Sequence, residues 1–179
     1  DAVARGDHAG APLGVAANVS ARQFRDHAFI QVVRDVLART CLDGACLELE
    51  LTESVLMDDV THAVDVMHAI RRLGVRMSID DFGTGYSSLA YLQSFPIDQL
   101  KLDRGFVRPL PQAGATLASA VIALAHGFDL AVVAEGVETE EQRAWLQSAG
   151  CDVVQGYLLG RPAPLEVLLD LVIPRVQQG

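Results

Sequence analysis

The sequence predicts an α/β fold, a TIM-type β/α barrel with about six of its eight strands present in this chain. Three observations carry that expectation. Strand-like and helix-like segments alternate along the chain, the pattern of parallel β/α units with right-handed crossovers. Asn18, Glu50, Asp80, Lys101, Glu135 and Gln155 each fall at or near the C-terminal end of a different strand. A barrel brings strand ends together at one mouth, whereas an open doubly wound sheet gathers only those near its switch point. The strand count stops two short of a closed barrel, and the irregular start of the sequence places the shortfall at the N-terminus.

Residues 1–13 read as the tail of an earlier element and a turn marked by Gly10 and Pro12. Val15–Val19 is the first strand, and Ser20 is an N-cap for a helix over 21–39 with Phe24, Ile30, Val33 and Leu37 on or near one face. Cys46–Leu51 is the second strand. A helix opening at 52–54 carries Val55, Val60, Val64, Met67 and Ile70 and stops at Gly74. The third strand, Val75–Asp80, runs into a glycine loop and a short helix near 86–93. Pro96 breaks that helix before the fourth strand, Ile97–Leu102. A helix over 115–128, a strand over 130–134, a helix over 139–149 capped by Thr139, and a brief sixth strand over 152–155 complete the pattern.

The totals narrow the function classes. The 179 residues are half hydrophobic, enough for the core of one domain, 1–179. No apolar run approaches the roughly 20 residues of a membrane span, so no membrane insertion by this segment is expected. The three cysteines form no C-x-x-C pair, which favours free thiols and a cytoplasmic location, either as a protein or as part of a larger one. A formal charge of -9 disfavours DNA or RNA polymers, because an acidic surface gains nothing from counterion release.

The organising stretch is Ser78-Ile79-Asp80-Asp81-Phe82-Gly83-Thr84-Gly85-Tyr86-Ser87-Ser88. Two carboxylates about 4 Å apart repel by roughly 4 kcal/mol at an effective dielectric of 20, so an adjacent pair in one partly buried site calls for a proton, a basic partner or a cation. Asn18, Glu50, Asp80, Asp81 and Glu135 make a hard oxygen donor set without histidine or cysteine, suited to Mg²⁺ or Mn²⁺; a carboxylate bridging two such ions is a common phosphoryl-transfer arrangement. Each residue alone is as readily a helix cap or an exposed strand-end charge; the set is harder to explain that way. Lys101 is placed to orient a water, with a buried ion pair to Asp103 or another carboxylate as the alternative. Glu53 is a candidate anchor for the loop 83–88 and as readily a helix N-terminal charge; Glu138, a second carboxylate beyond the glycine turn, is a loop-anchor candidate but alone more readily a first-turn helix charge. Gln155 and Tyr157 suit a nucleotide, while a packed tyrosine is equally ordinary. Asp81-Phe82-Gly83 spells a kinase triplet without its companions, there is no Walker A loop or G-x-S-x-G elbow, and the five histidines lack ligand spacing.

In order, the segments Asn18-Val-Ser, Glu50-Leu-Thr-Glu53-Ser, Asp80-Asp-Phe-Gly-Thr-Gly-Tyr-Ser-Ser, Lys101-Leu-Asp103, Ala134-Glu-Gly-Val-Glu138-Thr and Gln155-Gly-Tyr resemble the EAL-domain cyclic di-GMP phosphodiesterases over most of the chain. The resemblance implies a modified eight-stranded β/α barrel and hydrolysis of cyclic di-GMP to linear pGpG. Asn18, Glu50, Asp80, Asp81 and Glu135 would hold two Mg²⁺ or Mn²⁺ ions. Lys101 would position the attacking water with Glu135 as a suggested base, Gln155 would contribute to the substrate site, and Glu53 would anchor a loop coupled to a homodimer interface. It further implies flanking sensory domains. The family's Glu-Ala-Leu motif has no counterpart upstream of Asn18, so its strand, an antiparallel partner and a helix are expected to be absent and the fragment impaired. A non-catalytic cyclic di-GMP receptor or interaction module is the alternative.

Overall fold

The computed structural model describes residues 4–5, 13–83 and 89–167. One sheet carries seven strands in strictly sequential order: β1 (Ala4–Arg5), β2 (Gly14–Val19), β3 (Leu47–Thr52), β4 (Arg76–Phe82), β5 (Gln99–Leu102), β6 (Ala131–Ala134) and β7 (Val153–Val154). β2 to β7 are parallel throughout, which bears out the six predicted strands. An order that never reverses has no switch point, and it is the order of a barrel wall. The sheet forms a curled half-barrel. β1 runs antiparallel to β2. The reading of residues 1–13 as tail and turn, with the antiparallel partner absent, therefore omits this short strand, which two residues cannot announce by periodicity.

The helices are α1 (Ala21–Phe24), α2 (Phe29–Thr40), α3 (Glu53–Met57), α4 (Val60–Arg71), α5 (Leu89–Leu92), α6 (Arg104–Val107), α7 (Ala115–Gly127) and α8 (Glu140–Ser148). Two predicted continuous helices are in fact broken. Over 21–39, Asp26 Oδ1 accepts from the Ala28 N–H at 2.9 Å and ends the helix. Five residues of unbroken helix would set Phe24 and Phe29 about 140° apart; the turn lets both rings into the core, with centroids 6.2 Å apart. Between α3 and α4, Asp59 caps the new helix by accepting from His62 N–H at 3.0 Å, and the preceding Asp58 pairs with Arg25. Ser20 and Thr139 are N-caps as predicted, and each also closes a capping box, with Gln23 and Gln142 respectively. The predicted helix near 86–93 is seen as α5; its first residues, like the glycine loop 84–88, lie outside the described residues.

Alternation decides which face does what. Leu47, Leu49 and Leu51 of β3 join Met77 and Ile79, Leu100 and Leu102, and Val132 and Ala134 in the core beneath the helices. The intervening residues, Glu48 and Glu50, Ser78 and Asp80, Gln99 and Lys101, therefore line the inside of the curl. That inner face is polar and buried: Gln99 Nε2 donates to Glu48 Oε2 at 3.0 Å, deep in the wall. Burying an unpaired carboxylate is costly, so this bond is part of what makes the inner face tolerable. At the opposite rim from the mouth, the aspartate preceding β5 and the one preceding β7 repeat one device. Asp98 accepts from Met77 N–H at 2.9 Å and Asp152 from Val132 N–H at 2.8 Å. All three cysteines are free, as expected.

Candidate active site

Lys101 sits at the centre of the mouth, 3% exposed, with its ammonium in contact with carboxylates from three other elements. Nζ lies 2.6 Å from Glu135 Oε1, 2.9 Å from Glu50 Oε2 and 3.3 Å from Asp80 Oδ1. The end of β3, the end of β4 and the residue after β6 thus meet on the lysine of β5. The alternative expected for Lys101, a buried ion pair, is present, with Glu50, Asp80 and Glu135 as partners rather than Asp103, which caps α6 and accepts from Gly105 N–H at 2.8 Å.

The β4 end is built by a bulge. Ile79 pairs with Leu100 and Phe82 with Leu102, so Asp80 and Asp81 together face the single residue Lys101. Asp81 takes up the extra length at φ 55°, a left-handed conformation that aspartate adopts more readily than most residues. Asp80 Oδ1 accepts the Asp81 N–H at 3.0 Å, closing the kink. This is how two adjacent carboxylates, which a flat strand would send to opposite faces, come to share one rim.

The charges are unbalanced. Glu50, Asp80 and Glu135 are three carboxylates on one ammonium, and Asp81, exposed at the rim, adds a fourth negative charge to the same neighbourhood. Burial alone would lower the Lys101 pKa, but hydrogen bonds to Glu135 and Glu50 more than reverse this and hold it far above the ordinary lysine range. Burial raises Glu135; Lys101 opposes the rise, and Asp80 and Glu50 add to it. Asp81 is raised by partial desolvation and by Asp80 and Asp103, against Lys101. Burial is the larger cause in both, and the neighbouring carboxylates add to it in the direction that more negative charge than one ammonium can balance requires.

The donor set fits a hard divalent cation by chemistry and by charge. Lys101 engages one oxygen of each of three carboxylates, and no described residue hydrogen-bonds Glu50 Oε1, Asp80 Oδ2 or Glu135 Oε2. Among the described residues, no three acidic, histidine or cysteine side chains already converge as a metal cage. The lysine takes the point of convergence.

Other expected residues are distributed as follows. Asn18 is exposed at the end of β2, directly beside Glu50 in register. Gln155 donates Nε2 to Glu135 Oε1 at 2.7 Å, so its amide braces the carboxylate as well as lying at the mouth. Glu53 is buried in the first turn of α3; of the loop 83–88 that it was expected to anchor, 84–88 lie outside the described residues. Glu138 is exposed and precedes α8, whose first-turn acids are Glu140 and Glu141. Tyr157 is exposed rather than packed, with the Arg161 guanidinium 4.4 Å above its ring. Sequence reasoning missed the Glu48–Gln99 pair below the mouth, although the strict Leu/Glu alternation of β3 was the available signal.

Residues 2–162 match the family model described as the EAL domain. MucR of Pseudomonas aeruginosa, named a bifunctional diguanylate cyclase/cyclic di-GMP phosphodiesterase, is 45% identical over 164 residues, covering 90% of this chain and 24% of MucR. NbdA of the same organism, named a cyclic di-GMP phosphodiesterase, is 46% identical over 162 residues, covering 89% of this chain and 21% of NbdA. The chain thus spans about a quarter or less of the curated relatives it matches. In three dimensions it resembles the solved MucR phosphodiesterase in complex with c-di-GMP, with a TM-score of 0.84 and 46% identity over 87% of this chain and 64% of that one. The EAL domain of Mycobacterium smegmatis DcpA gives 0.84 at 39% identity, covering 88% of this chain and 71% of that one. A family match that runs through every strand of the parallel wall, together with solved structures of the same shape, shows that the chain belongs to the EAL domain family.

Proposed function

We propose that this domain hydrolyses cyclic di-GMP to linear pGpG at the mouth formed by Glu50, Asp80, Asp81, Lys101 and Glu135. The observation that carries the reading is the meeting of three strand-end carboxylates on one buried lysine, with more negative charge than that lysine can balance. The relatives named as phosphodiesterases and the c-di-GMP complex of MucR support the substrate.

Asn18, Glu50, Asp80, Asp81 and Glu135 are the ligands in this reading, holding two Mg²⁺ or Mn²⁺ ions. When bound, such ions stabilise negative charge on the phosphoryl oxygens as Lewis acids. Lys101, kept protonated by Glu50 and Glu135, turns the N–H now directed at Asp80, the longest of its three contacts at 3.3 Å, to the attacking water and fixes its direction. Glu135 has Oε1 held by Lys101 and Gln155, which leaves Oε2 to accept the proton as the water oxygen bonds to phosphorus. The bond from phosphorus to the 3′ oxygen breaks, that oxygen takes up a proton from solvent water, and Glu135 releases the proton it accepted to solvent. In this reading Gln155 contributes to the substrate site, and the exposed ring of Tyr157 two residues on is available to a base.

Incubation with cyclic di-GMP and Mn²⁺, scored by chromatography, is expected to yield pGpG in step with loss of substrate. Binding without turnover, in the full-length protein as well, would favour the receptor reading. Homodimerisation, flanking sensory domains and a cytoplasmic location belong to the same proposal. No helix among the described residues is long and apolar enough to cross a membrane.

A further inference from the structure

The turn that carries Glu135 is fastened by a side chain to which the proposed reaction gives no role. Four of the turn's backbone N–H groups are held. Glu135 donates to Leu102 O at 3.0 Å and Val137 to Gln155 O at 3.1 Å, backbone partners at the end of β5 and just after β7. Glu138 and Thr139 donate to a single atom, Gln142 Oε1, at 2.8 and 3.1 Å. The other end of that amide reaches away from the turn: Nε2 donates to Val107 O at 3.3 Å and Arg108 O at 3.5 Å, at the C-terminal end of α6. Gln142 is only 7% exposed.

α6 meets the same turn a second time. Gly136, at φ 67°, lies so close that an added Cβ would fall 2.5 Å from Arg104 Cβ. It also touches the other acidic strand end, because a Cβ on Gly83 would fall 2.9 Å from the Phe106 ring. α6 thus stands between the segments that follow Asp81 and Glu135. A capping box needs only an acceptor oxygen, so glutamate would cap α8 as well as glutamine does. What glutamine adds is the amide nitrogen, and here that nitrogen is directed at α6.

We propose that Gln142 is a positioning residue for Glu135: its amide clamps the β6 turn to α6, and α6 in turn abuts the segment following Asp81, so the two acidic strand ends keep their separation. The inference rests on the phosphodiesterase reading given above. Gln142→Glu in the full-length protein isolates the clamp, since it keeps the acceptor for Glu138 and Thr139 and sets a carboxylate against two carbonyls. Thr139→Ala is the converse control, weakening the α8 cap without touching α6.

Q142E is expected to speed amide exchange over 135–139, to weaken Mn²⁺ binding measured by calorimetry roughly tenfold, and to lower kcat by about ten- to a hundredfold, the scale of an ångström-sized misplacement. T139A should lower Tm by a few degrees with Mn²⁺ affinity and kcat within about twofold of wild type. Wild-type Mn²⁺ affinity and kcat in Q142E would overturn the inference, as would losses in both variants that simply track Tm. Should Q142E fail to fold, Gly136→Ala strains the turn from its other contact with α6 and is expected to weaken Mn²⁺ binding likewise; an unchanged affinity there would also overturn it. A wild-type protein that binds Mn²⁺ but leaves cyclic di-GMP intact would remove the hydrolytic reading, while the exchange and Mn²⁺ comparisons would still decide the role of Gln142.

Discussion

Replacing Lys101 by methionine keeps the length and apolar stem of the side chain and removes the one cation at the centre of the mouth. With oxygens at 2.6, 2.9 and 3.3 Å from Nζ, each pair contributes a gross attraction of about 5–6 kcal/mol at an effective dielectric of 20, most of it offset by desolvation. The net consequence is set by what remains: Glu50, Asp80 and Glu135, partly or wholly buried, with no countercharge. Removing one partner of a buried ion pair typically costs about 3–5 kcal/mol, and that is the loss expected for K101M by urea denaturation at pH 7 without divalent ions. The loss must depend on pH in one direction. Burial already raises Glu135 above the unfolded carboxyl value, so the native state holds its proton longer, and stability falls as pH rises from the unfolded pKa through the folded one. Without Lys101 the rise is larger, and each unit converts to about 1.4 kcal/mol above both pKa values. K101M is therefore expected to approach wild-type stability as pH falls towards 5 and to depart from it towards 7. Saturating Mn²⁺, at about 100 times its Kd, should restore about 2.7 kcal/mol. Stability within about 0.5 kcal/mol of wild type at pH 7 without metal, or a loss equal at pH 5 and 7, would refute this electrostatic reasoning.

Glu50→Gln and Asp80→Asn each remove one negative charge from the same crowded site, so both should fold with stability equal to or up to about 1 kcal/mol above wild type while losing at least about a hundredfold in turnover, as read by pGpG formation and thermal melts. Gly83→Ala faces a φ of 87° and a Cβ 2.9 Å from Phe106, and should cost about 1–3 kcal/mol in urea melts. Asp152→Ala removes the acceptor for Val132 N–H and for His126 Nε2 at 2.9 Å; with both side chains about two-fifths exposed, a loss of only about 1 kcal/mol is expected. Although burial pushes Asp152 up, its hydrogen bonds from His126 and Val132 more than compensate and hold it below the ordinary range. Its contribution should be present above the unfolded pKa and vanish as pH falls through the folded one, so the two proteins' melting curves should converge in acid.

The barrel wall was legible because burial acts residue by residue. Leu47, Leu49 and Leu51 alternating with glutamates can face a helix layer on one side only, and the glutamates then have one place to go. The acidic mouth was legible for a related reason: one polar residue closing an apolar strand is ordinary, but a set of them closing successive strands is hard to explain unless the strand ends meet. What escaped depends on partners distant in the chain. The bulge at Asp80–Asp81 exists because β5 supplies one residue where β4 supplies two, which only the pairing register reveals. The breaks at Asp26 and Asp58–Asp59 follow from where the sheet needs Phe24, Phe29 and Val55, against a local pattern that reads as continuous helix. α6, at four residues, is shorter than any periodicity can register. Gln155 could be read as a substrate contact but not as the brace on Glu135, and the Thr139–Gln142 cap was readable while the amide's grip on Val107 was not.

Diffraction from crystals soaked in Mn²⁺, recorded for anomalous scattering, tests the central claim without relying on turnover. The account predicts two peaks at the mouth within coordination distance of oxygens of Glu50, Asp80, Asp81 and Glu135, beside the Lys101 ammonium. Manganese bound elsewhere on the surface, with those carboxylates still closed around Lys101 alone at saturating metal, would contradict it.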